Sequence, residues 1–213
     1  MHSINTLTPQ NSALCLIDHQ PWVAFPINSI SPEHLTNNVL ALAKAAKALE
    51  IPTILTTING ENGPLRDPLL QGIGALWPDT QPIDRTNTNA WSDPAFVSAV
   101  EKTGRNKLVM AGLWTEVCLA QTAISALAAG YEVFFVSDAS GGLSPESHER
   151  ACQRMIQAGA VPMTWFATAA EWCPDNTAPE YQQMYPITLA HGGRVGWAVE
   201  YIMANLPQTG DRA

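Results

Sequence analysis

Short apolar runs alternate with longer amphipathic stretches along most of the chain, which predicts an alternation of strands and helices. The runs are rich in β-branched and aromatic residues, as is typical of strands that are buried on both faces of a sheet. We place six strands at Ser12–Asp18, Pro52–Ile58, Ile83–Thr86, Lys107–Gly112, Tyr131–Asp138 and Val161–Phe166. Four helices are predicted between them, at Glu33–Glu50, Ala95–Thr103, Glu116–Ala129 and Ser144–Ala158.

Three of the predicted helices start with the same local signal, a side-chain acceptor followed directly by proline. The acceptor caps the first free backbone N–H groups, and proline fits the first turn because its missing N–H is not needed there. These pairs are Ser31-Pro32, Asp93-Pro94 and Ser144-Pro145. The repeated signal supports a repeated unit of strand and helix.

Strands that alternate with helices over short connections predict a parallel sheet with helices on both faces. The predicted fold class is therefore doubly wound α/β, with six parallel strands in a single domain that spans residues 1–213. Beyond Ala167 the pattern is mixed, with helical stretches near Ala178–Met184 and Gly196–Leu206. We interpret residues 167–213 as a C-terminal helical extension that acts as an oligomerisation arm.

The amino-acid composition indicates which kinds of macromolecule the protein can bind. Charged residues make up 14% of the chain and hydrophobic residues 46%, with seven tryptophans, so we expect a homo-oligomer that covers part of this surface. The formal net charge of −8 argues against nucleic acid and membrane surfaces as partners. No apolar run reaches the roughly 20 residues of a membrane span. Met1–Gln10 lacks the regions of a signal peptide, which predicts a cytoplasmic location.

Three residues with ionisable or nucleophilic side chains lie at strand ends, where the ligand and active sites of parallel sheets usually occur. Asp18 ends the first predicted strand, Arg85 lies at the end of the third, and Cys118 follows the fourth at the start of a helix. A thiol at a helix start meets free N–H groups and the positive end of the helix dipole, which predicts a stabilised thiolate. Asp18→Asn is accordingly expected to raise the pKa of this thiol.

A nucleophilic thiol beside a carboxylate base is typical of a covalent hydrolase. Taken one at a time, the three residues have structural alternatives: a packed cysteine, a capping acid and a surface cation. All four cysteines, Cys15, Cys118, Cys152 and Cys173, lack CxxC spacing and are predicted to be free thiols. The turn after the first strand reads DHQPWVAF instead of a glycine-rich motif, so we predict no dinucleotide cofactor.

Three segments hold these residues in order: LIDHQ (16–20), RTNTNAW (85–91) and MAGLWTEVCL (110–119). Together with segments 37–47, 52–57, 137–140 and 157–166, they make the chain resemble the isochorismatase-like superfamily of cysteine hydrolases, and within it the YcaC-type branch. The resemblance covers most of the chain and leaves the residues after Phe166 unassigned.

The resemblance implies a hydrolase that cleaves a C–N bond of a small amide or related compound through a thioester on Cys118, with Asp18 as the base. Arg85 stands where lysine is commonest in the superfamily, as in YcaC-like relatives, and arginine does not release its proton. The resemblance also implies a cis peptide bond between Leu113 and Trp114, and an oxyanion hole made by the backbone N–H groups of Trp114 and Cys118. It further implies a large ring-stacked assembly such as an octamer.

Nicotinamidases of this superfamily bind a metal through an Asp-x-His pair after the second strand, where this chain reads TTINGEN (56–62). Because the histidine is missing, we predict no catalytic metal and disfavour nicotinamide as the substrate. The predicted catalysis therefore needs no cofactor.

Five residues are weaker candidates for binding a small-molecule substrate: His19, Trp22, Phe25, Asn89 and Trp114. The alternatives are a structural hydrogen bond for His19, a turn cap for Asn89 and a core position for Trp114. A second hypothesis for the whole protein is a non-hydrolytic oligomer that binds a small molecule or senses peroxide through Cys118. Arg85 in place of lysine is the feature that favours this second hypothesis.

Overall fold

The computed structural model describes residues 6–61 and 67–205, and it contains one sheet of six parallel strands. The strands are β1 (Ser12–Ile17), β2 (Thr53–Ile58), β3 (Ile83–Arg85), β4 (Lys107–Gly112), β5 (Glu132–Val136) and β6 (Val161–Met163). Their order across the sheet is β3-β2-β1-β4-β5-β6, and every neighbouring pair is parallel. The predicted doubly wound sheet is confirmed.

Nine α-helices occur in the described ranges: α1 (Pro21–Ala24), α2 (Pro32–Ala48), α3 (Gln71–Gly74), α4 (Pro94–Lys102), α5 (Ala120–Ala128), α6 (Pro145–Gln157), α7 (Trp165–Trp172), α8 (Tyr181–His191) and α9 (Arg194–Asn205). The predicted caps Ser31, Asp93 and Ser144 each accept a hydrogen bond from a backbone N–H of the first turn. None of the helices in these ranges has the length and apolar character that crossing a membrane requires.

Helix α7 is absent from the sequence prediction, which extends the sixth strand to Phe166. The strand ends at Met163 because the next residue, Thr164, caps α7 by accepting a hydrogen bond from the Ala167 backbone N–H. Apolar residues lie on both sides of Thr164, and this single polar position does not by itself distinguish the end of a strand from the start of a buried helix. The two helices predicted in the tail are present as α8 and α9, and Leu206 lies outside the described residues.

Helices cover both faces of the sheet, because alternate strand residues point to opposite sides. Leu14 and Leu16 of β1 pack in one core with α2, α7 and α8. Cys15 and Ile17 pack in the other core with α4, α5 and α6. The extension predicted to begin at residue 167 is therefore part of the domain core as far as α8, and only α9 lies mainly outside it.

The strand order creates a crevice between β1 and β4. The chain runs from β1 outward to β3 on one side, then returns to β4 beside β1 and continues outward to β6 on the other side. In doubly wound sheets, the carboxyl ends of the strands at such a reversal form the usual ligand site. Ile17 and Gly112 lie opposite each other at this end of β1 and β4.

Gly112 is required for the close approach at this crevice. A Cβ added there lies 2.9 Å from the Cβ of Ile17 and 3.3 Å from that of Leu119. Overpacking of this kind predicts that Gly112→Ala lowers the free energy of unfolding by about 1–3 kcal/mol, measured by urea denaturation. Gly74→Ala is the control because an added Cβ meets no atom within 4 Å. Equal stability of the two variants contradicts the prediction.

Candidate active site

Asp18 follows β1 directly and is completely buried. Its backbone has a positive φ of 57°, a conformation that non-glycine residues adopt chiefly at constrained sites. One carboxylate oxygen, Oδ1, accepts a hydrogen bond from the Thr56 hydroxyl at 2.7 Å, and the other, Oδ2, accepts one from Arg85 Nη2 at 2.5 Å. The carboxylate is thus fixed from two neighbouring strands, β2 and β3.

Arg85 is the last residue of β3 and reaches across β2 to Asp18. Its side chain is 1% exposed, and Nη1 donates a hydrogen bond to the carbonyl of Asn87. Nε is buried and has no hydrogen-bond partner among the described residues. The structural alternative of a surface cation does not hold, because Arg85 forms a buried ion pair with Asp18.

Cys118 lies in a π-helical turn, Thr115–Leu119, between β4 and α5. The residue is 4% exposed, and its thiol interacts with both the Asp18 carboxylate and the Arg85 guanidinium through charge and hydrogen bonding. The structure therefore brings together the three residues that the sequence places at strand ends. Single π-turns inside helices occur frequently at functional sites.

The protonation states of this cluster follow from burial and charge. Burial and the neighbouring Asp18 carboxylate raise the pKa of Cys118 to about 12, and the Arg85 guanidinium only partly opposes them. Burial also raises the pKa of Asp18, against the opposing effects of Arg85 and Thr56. The prediction of a stabilised thiolate is wrong for the free protein, because burial and the carboxylate outweigh the helix start.

Trp114 precedes the π-turn and is joined to Leu113 by a cis peptide bond, as the resemblance implied. Its indole Nε1 donates a hydrogen bond to the carbonyl of Val23 at 2.7 Å, and its ring meets Trp22 edge to face with centroids 6.4 Å apart. The backbone N–H of Trp114 is bonded to no backbone carbonyl of the described residues. The two indoles thus pack against each other and connect α1 to the turn that carries Cys118.

Three of the weaker candidates lie in other surroundings. His19 is completely buried; its Nε2 donates to the carbonyl of Ala139, and burial lowers its pKa to about 4. Phe25 is 91% exposed in the single chain and so does not line a buried site. Asn89 caps a turn by accepting a hydrogen bond from the Trp91 backbone N–H. The structural alternatives hold for His19 and Asn89, because each side chain forms a hydrogen bond with a backbone group.

Two further residues, Thr56 and Gln20, connect Asp18 and the loop after it to β2. Thr56 binds the carboxylate from β2, and it lies in register with Ile17, the residue before Asp18. Gln20 is buried and binds both the N–H and the carbonyl of Ile58, which ties the loop after β1 to the end of β2. Thr56 was not singled out because its position beside Asp18 depends on the register of β2 against β1, which no local pattern in the sequence reveals.

All four cysteines are free thiols. Within residues 6–61 and 67–205, no group of three or more His, Cys, Asp or Glu side chains is placed to hold a metal ion. The TTINGEN stretch ends at Asn62, which lies outside the described residues.

Comparison with known proteins assigns the family. A family model for the isochorismatase domain matches residues 12–166, which include the whole sheet and all three clustered residues. The chain belongs to the isochorismatase family. This isochorismatase-family chain is also 45% identical over 166 residues to a protein named probable hydrolase YcaC from Escherichia coli (strain K12), covering 78% of this chain and 79% of that protein.

Two solved structures place the isochorismatase-family chain in the YcaC branch. YcaC from Pseudomonas aeruginosa, with hexane-2,5-diol and covalent acrylamide, has a TM-score of 0.89 and 35% identity, covering 95% of this chain and all of that one. The E. coli YcaC product, an octameric hydrolase of unknown specificity, has a TM-score of 0.89 and 37% identity, covering 96% of this chain and all of that one. The chain is thus a member of a hydrolase family in both sequence and fold.

Proposed function

We propose that this isochorismatase-family chain is a cysteine hydrolase that cleaves a C–N bond of a small amide or related compound without a cofactor. One observation carries the proposal, the contact of the Cys118 thiol with Asp18 and Arg85 at the crevice between β1 and β4. Covalent acrylamide, itself a small amide, in YcaC from P. aeruginosa supports a reactive site in this branch. The substrate is a small molecule, since the three residues are nearly inaccessible in the single chain.

Acylation begins from a neutral thiol. Asp18 accepts the proton of Cys118 as Sγ attacks the carbonyl carbon, and a raised pKa makes this carboxylate a better proton acceptor. The backbone N–H groups of Trp114 and Cys118 stabilise the negative oxygen of the tetrahedral intermediate. The C–N bond then breaks, Asp18 returns its proton to the departing nitrogen, and an acyl group remains on Sγ as a thioester.

Deacylation uses the same groups, with a water molecule as the nucleophile and the Cys118 thiolate as the leaving group. Asp18 accepts a proton from a water molecule that attacks the thioester carbon, and the C–S bond breaks. The proton passes from Asp18 to Sγ, which restores the thiol and releases a carboxylic acid. Arg85 keeps its proton throughout, and its charge stabilises Asp18 and the sulfur while negative charge develops there.

Peroxide sensing by the same thiol is less well supported. Sensor cysteines are accessible and have a lowered pKa, which keeps them partly ionised at neutral pH. Cys118 is 4% exposed, and its pKa is raised by burial. These properties favour a thiol that is activated only while it transfers its proton to Asp18.

The test is a panel of small amides and imides with two readouts, release of ammonia or amine and the intact mass of the protein. We expect turnover and an acyl adduct with the wild type, and neither with Cys118→Ala, which retains the fold. Cys152→Ala is the matched control because this half-buried cysteine lies on α6, apart from Asp18 and Arg85. Turnover that survives Cys118→Ala, or reversible oxidation of Cys118 without any acyl adduct, contradicts the proposal.

We also propose that the extension assembles copies of this chain, through the outer face of α9. Among the described residues, α9 buries only Gly196, while Trp197 and Tyr201 are 69% and 70% exposed one helical turn apart. Ile202 and Met203 are also more than half exposed. Apolar faces of this kind mark interaction sites, and the net charge of −8 disfavours an anionic membrane. The octameric E. coli relative supports a second copy as the occupant.

A further inference from the structure

We infer that His148 is a positioning residue for Cys118, which acts by holding Thr115 at the start of the π-turn. The inference rests on the proposed function, because it takes Cys118 as the nucleophile. His148 lies on α6, away from Asp18 and Arg85, and it belongs to none of the motifs that mark the family resemblance.

Three hydrogen bonds join the π-turn to the segment that runs from Gly141 into α6. The backbone N–H of Thr115 donates to the carbonyl of Gly141 at 2.9 Å. The hydroxyl of the same residue lies 2.8 Å from Nδ1 of His148. The next residue, Glu116, accepts a hydrogen bond from the Leu143 backbone N–H at 2.9 Å. The two residues at the start of the turn that carries Cys118 are thus held by one neighbouring segment.

A π-turn depends on such outside contacts. Its characteristic wide hydrogen bond runs from the Leu119 N–H to the Trp114 carbonyl at 3.3 Å, and π-helical geometry is rare because it is less favourable than the α-helix. Successive residues of an α-helix are rotated by about 100°. A shift of the turn toward regular α-helical bonding therefore turns the Cys118 side chain away from Asp18.

The two ring nitrogens of His148 have different partners. Burial lowers the pKa of His148, although the Glu116 carboxylate opposes this, so the ring is neutral near pH 7. Nε2 lies 3.6 Å from Sγ of Cys152, the cysteine one turn further along α6. With the proton on Nε2, directed at this sulfur, Nδ1 is free to accept the Thr115 hydroxyl hydrogen. Only the Nδ1 side of the ring acts on the π-turn.

Because the two ring nitrogens have different partners, two substitutions of His148 can be compared as a matched pair. Asparagine places its amide near the position of Nδ1, whereas glutamine places its amide near that of Nε2. His148→Asn therefore keeps an acceptor for Thr115, and His148→Gln does not. Thr115→Val removes the hydroxyl at constant shape from a completely buried residue. Cys152→Ala removes the partner on the other side of the ring.

The readout is the rate of Cys118 alkylation by iodoacetamide at pH 8, followed by peptide mass. All four cysteines fall on different tryptic peptides, so each is followed separately. Thr115→Val and His148→Gln are expected to speed alkylation of Cys118 by about tenfold or more, because Sγ leaves its buried position beside the carboxylate, and burial and that carboxylate keep the thiol protonated. His148→Asn and Cys152→Ala are expected to stay within about twofold of the wild type. The double variant Thr115→Val/His148→Gln is expected to show the same increase in the alkylation rate of Cys118 as either single variant.

Cys15 distinguishes repositioning from unfolding, because it is completely buried in β1 and reacts only when the sheet opens. Parallel acceleration at Cys15 and Cys118 overturns the inference, as does equal acceleration by His148→Asn and His148→Gln. If Asp18→Asn changes the alkylation rate of Cys118 but Thr115→Val and His148→Gln do not, the positioning role of His148 is contradicted while the proposed function stands. Amide turnover that survives Cys118→Ala removes the proposed function instead.

Discussion

Asp18→Asn is expected to abolish amide hydrolysis and, in the same protein, to speed the alkylation of Cys118. Hydrolysis falls because the proton acceptor is lost, a change that commonly costs about 10²–10⁴-fold in rate. Alkylation rises because the Asp18 charge is one of the causes that hold the thiol pKa at about 12. Asparagine has nearly the same shape, so packing at this completely buried position is preserved.

The size of the effect follows from the charges at the site. Without the carboxylate, Arg85 acts on the thiol alone, and we expect the pKa of Cys118 to fall by at least about one unit. The ionised fraction at pH 8, and with it the rate of alkylation by iodoacetamide, then rises about tenfold. This reverses the direction expected from sequence alone, because the sequence does not reveal how deeply the thiol is buried beside the carboxylate.

Arg85→Met is the matched control, since it removes the opposite charge of the same ion pair. The guanidinium lowers the pKa of Cys118, so its loss is expected to raise that pKa and slow alkylation at pH 8. Opposite shifts from the two variants, measured on the Cys118 peptide, support the electrostatic account. Shifts of the same sign in both variants contradict it, because disruption of the site exposes the thiol whichever partner is removed.

Trp197→Glu combined with Tyr201→Glu is expected to reduce the assembly to single chains of 23.0 kDa. The two side chains lie one helical turn apart on α9 and are mostly exposed in the single chain, so carboxylates there oppose burial against a second copy. The mass in solution is measured by light scattering coupled to size-exclusion chromatography. The wild type is expected to have a multiple of the single-chain mass.

Two control variants test the surface assigned to this contact. Ile156→Glu changes an apolar residue of α6 that is 46% exposed, and it is expected to leave the assembly intact. Phe25→Glu changes the most exposed large apolar residue that the structure describes. An assembly that is lost with Phe25→Glu and kept with the α9 variant contradicts the role of α9, and so does a wild type that is a single chain.

Local signals along the sequence were sufficient for most of the fold. Side-chain acceptors before proline located three helix starts, and each of those caps is present in the structure. Helix α7 was missed because its first residues continue the apolar run of β6. The distinction depends on Thr164, whose hydroxyl caps α7 only when the neighbouring backbone is already in place.

The site was predictable only in part. Asp18, Arg85 and Cys118 were found because strand ends in a parallel sheet share one edge, and the family motifs held the same residues. Phe25 lies at the end of the short helix α1 and is 91% exposed in the single chain, and the sequence pattern does not show which way this side chain points. Thr56 and His148 act through contacts with residues 38 and 33 positions away, respectively, and no local pattern reveals such contacts.

The ion pair at the crevice joins parts of the chain that are 67 residues apart in sequence, and Cys118 comes from a third strand end still further along. Contacts of such wide separation form late, since the entropy of closing the intervening loops must first be overcome. A nascent or partly folded chain therefore holds the thiol, the acid and the cation apart. Amide hydrolysis that depends on the contact of these three groups therefore develops only in the completed domain.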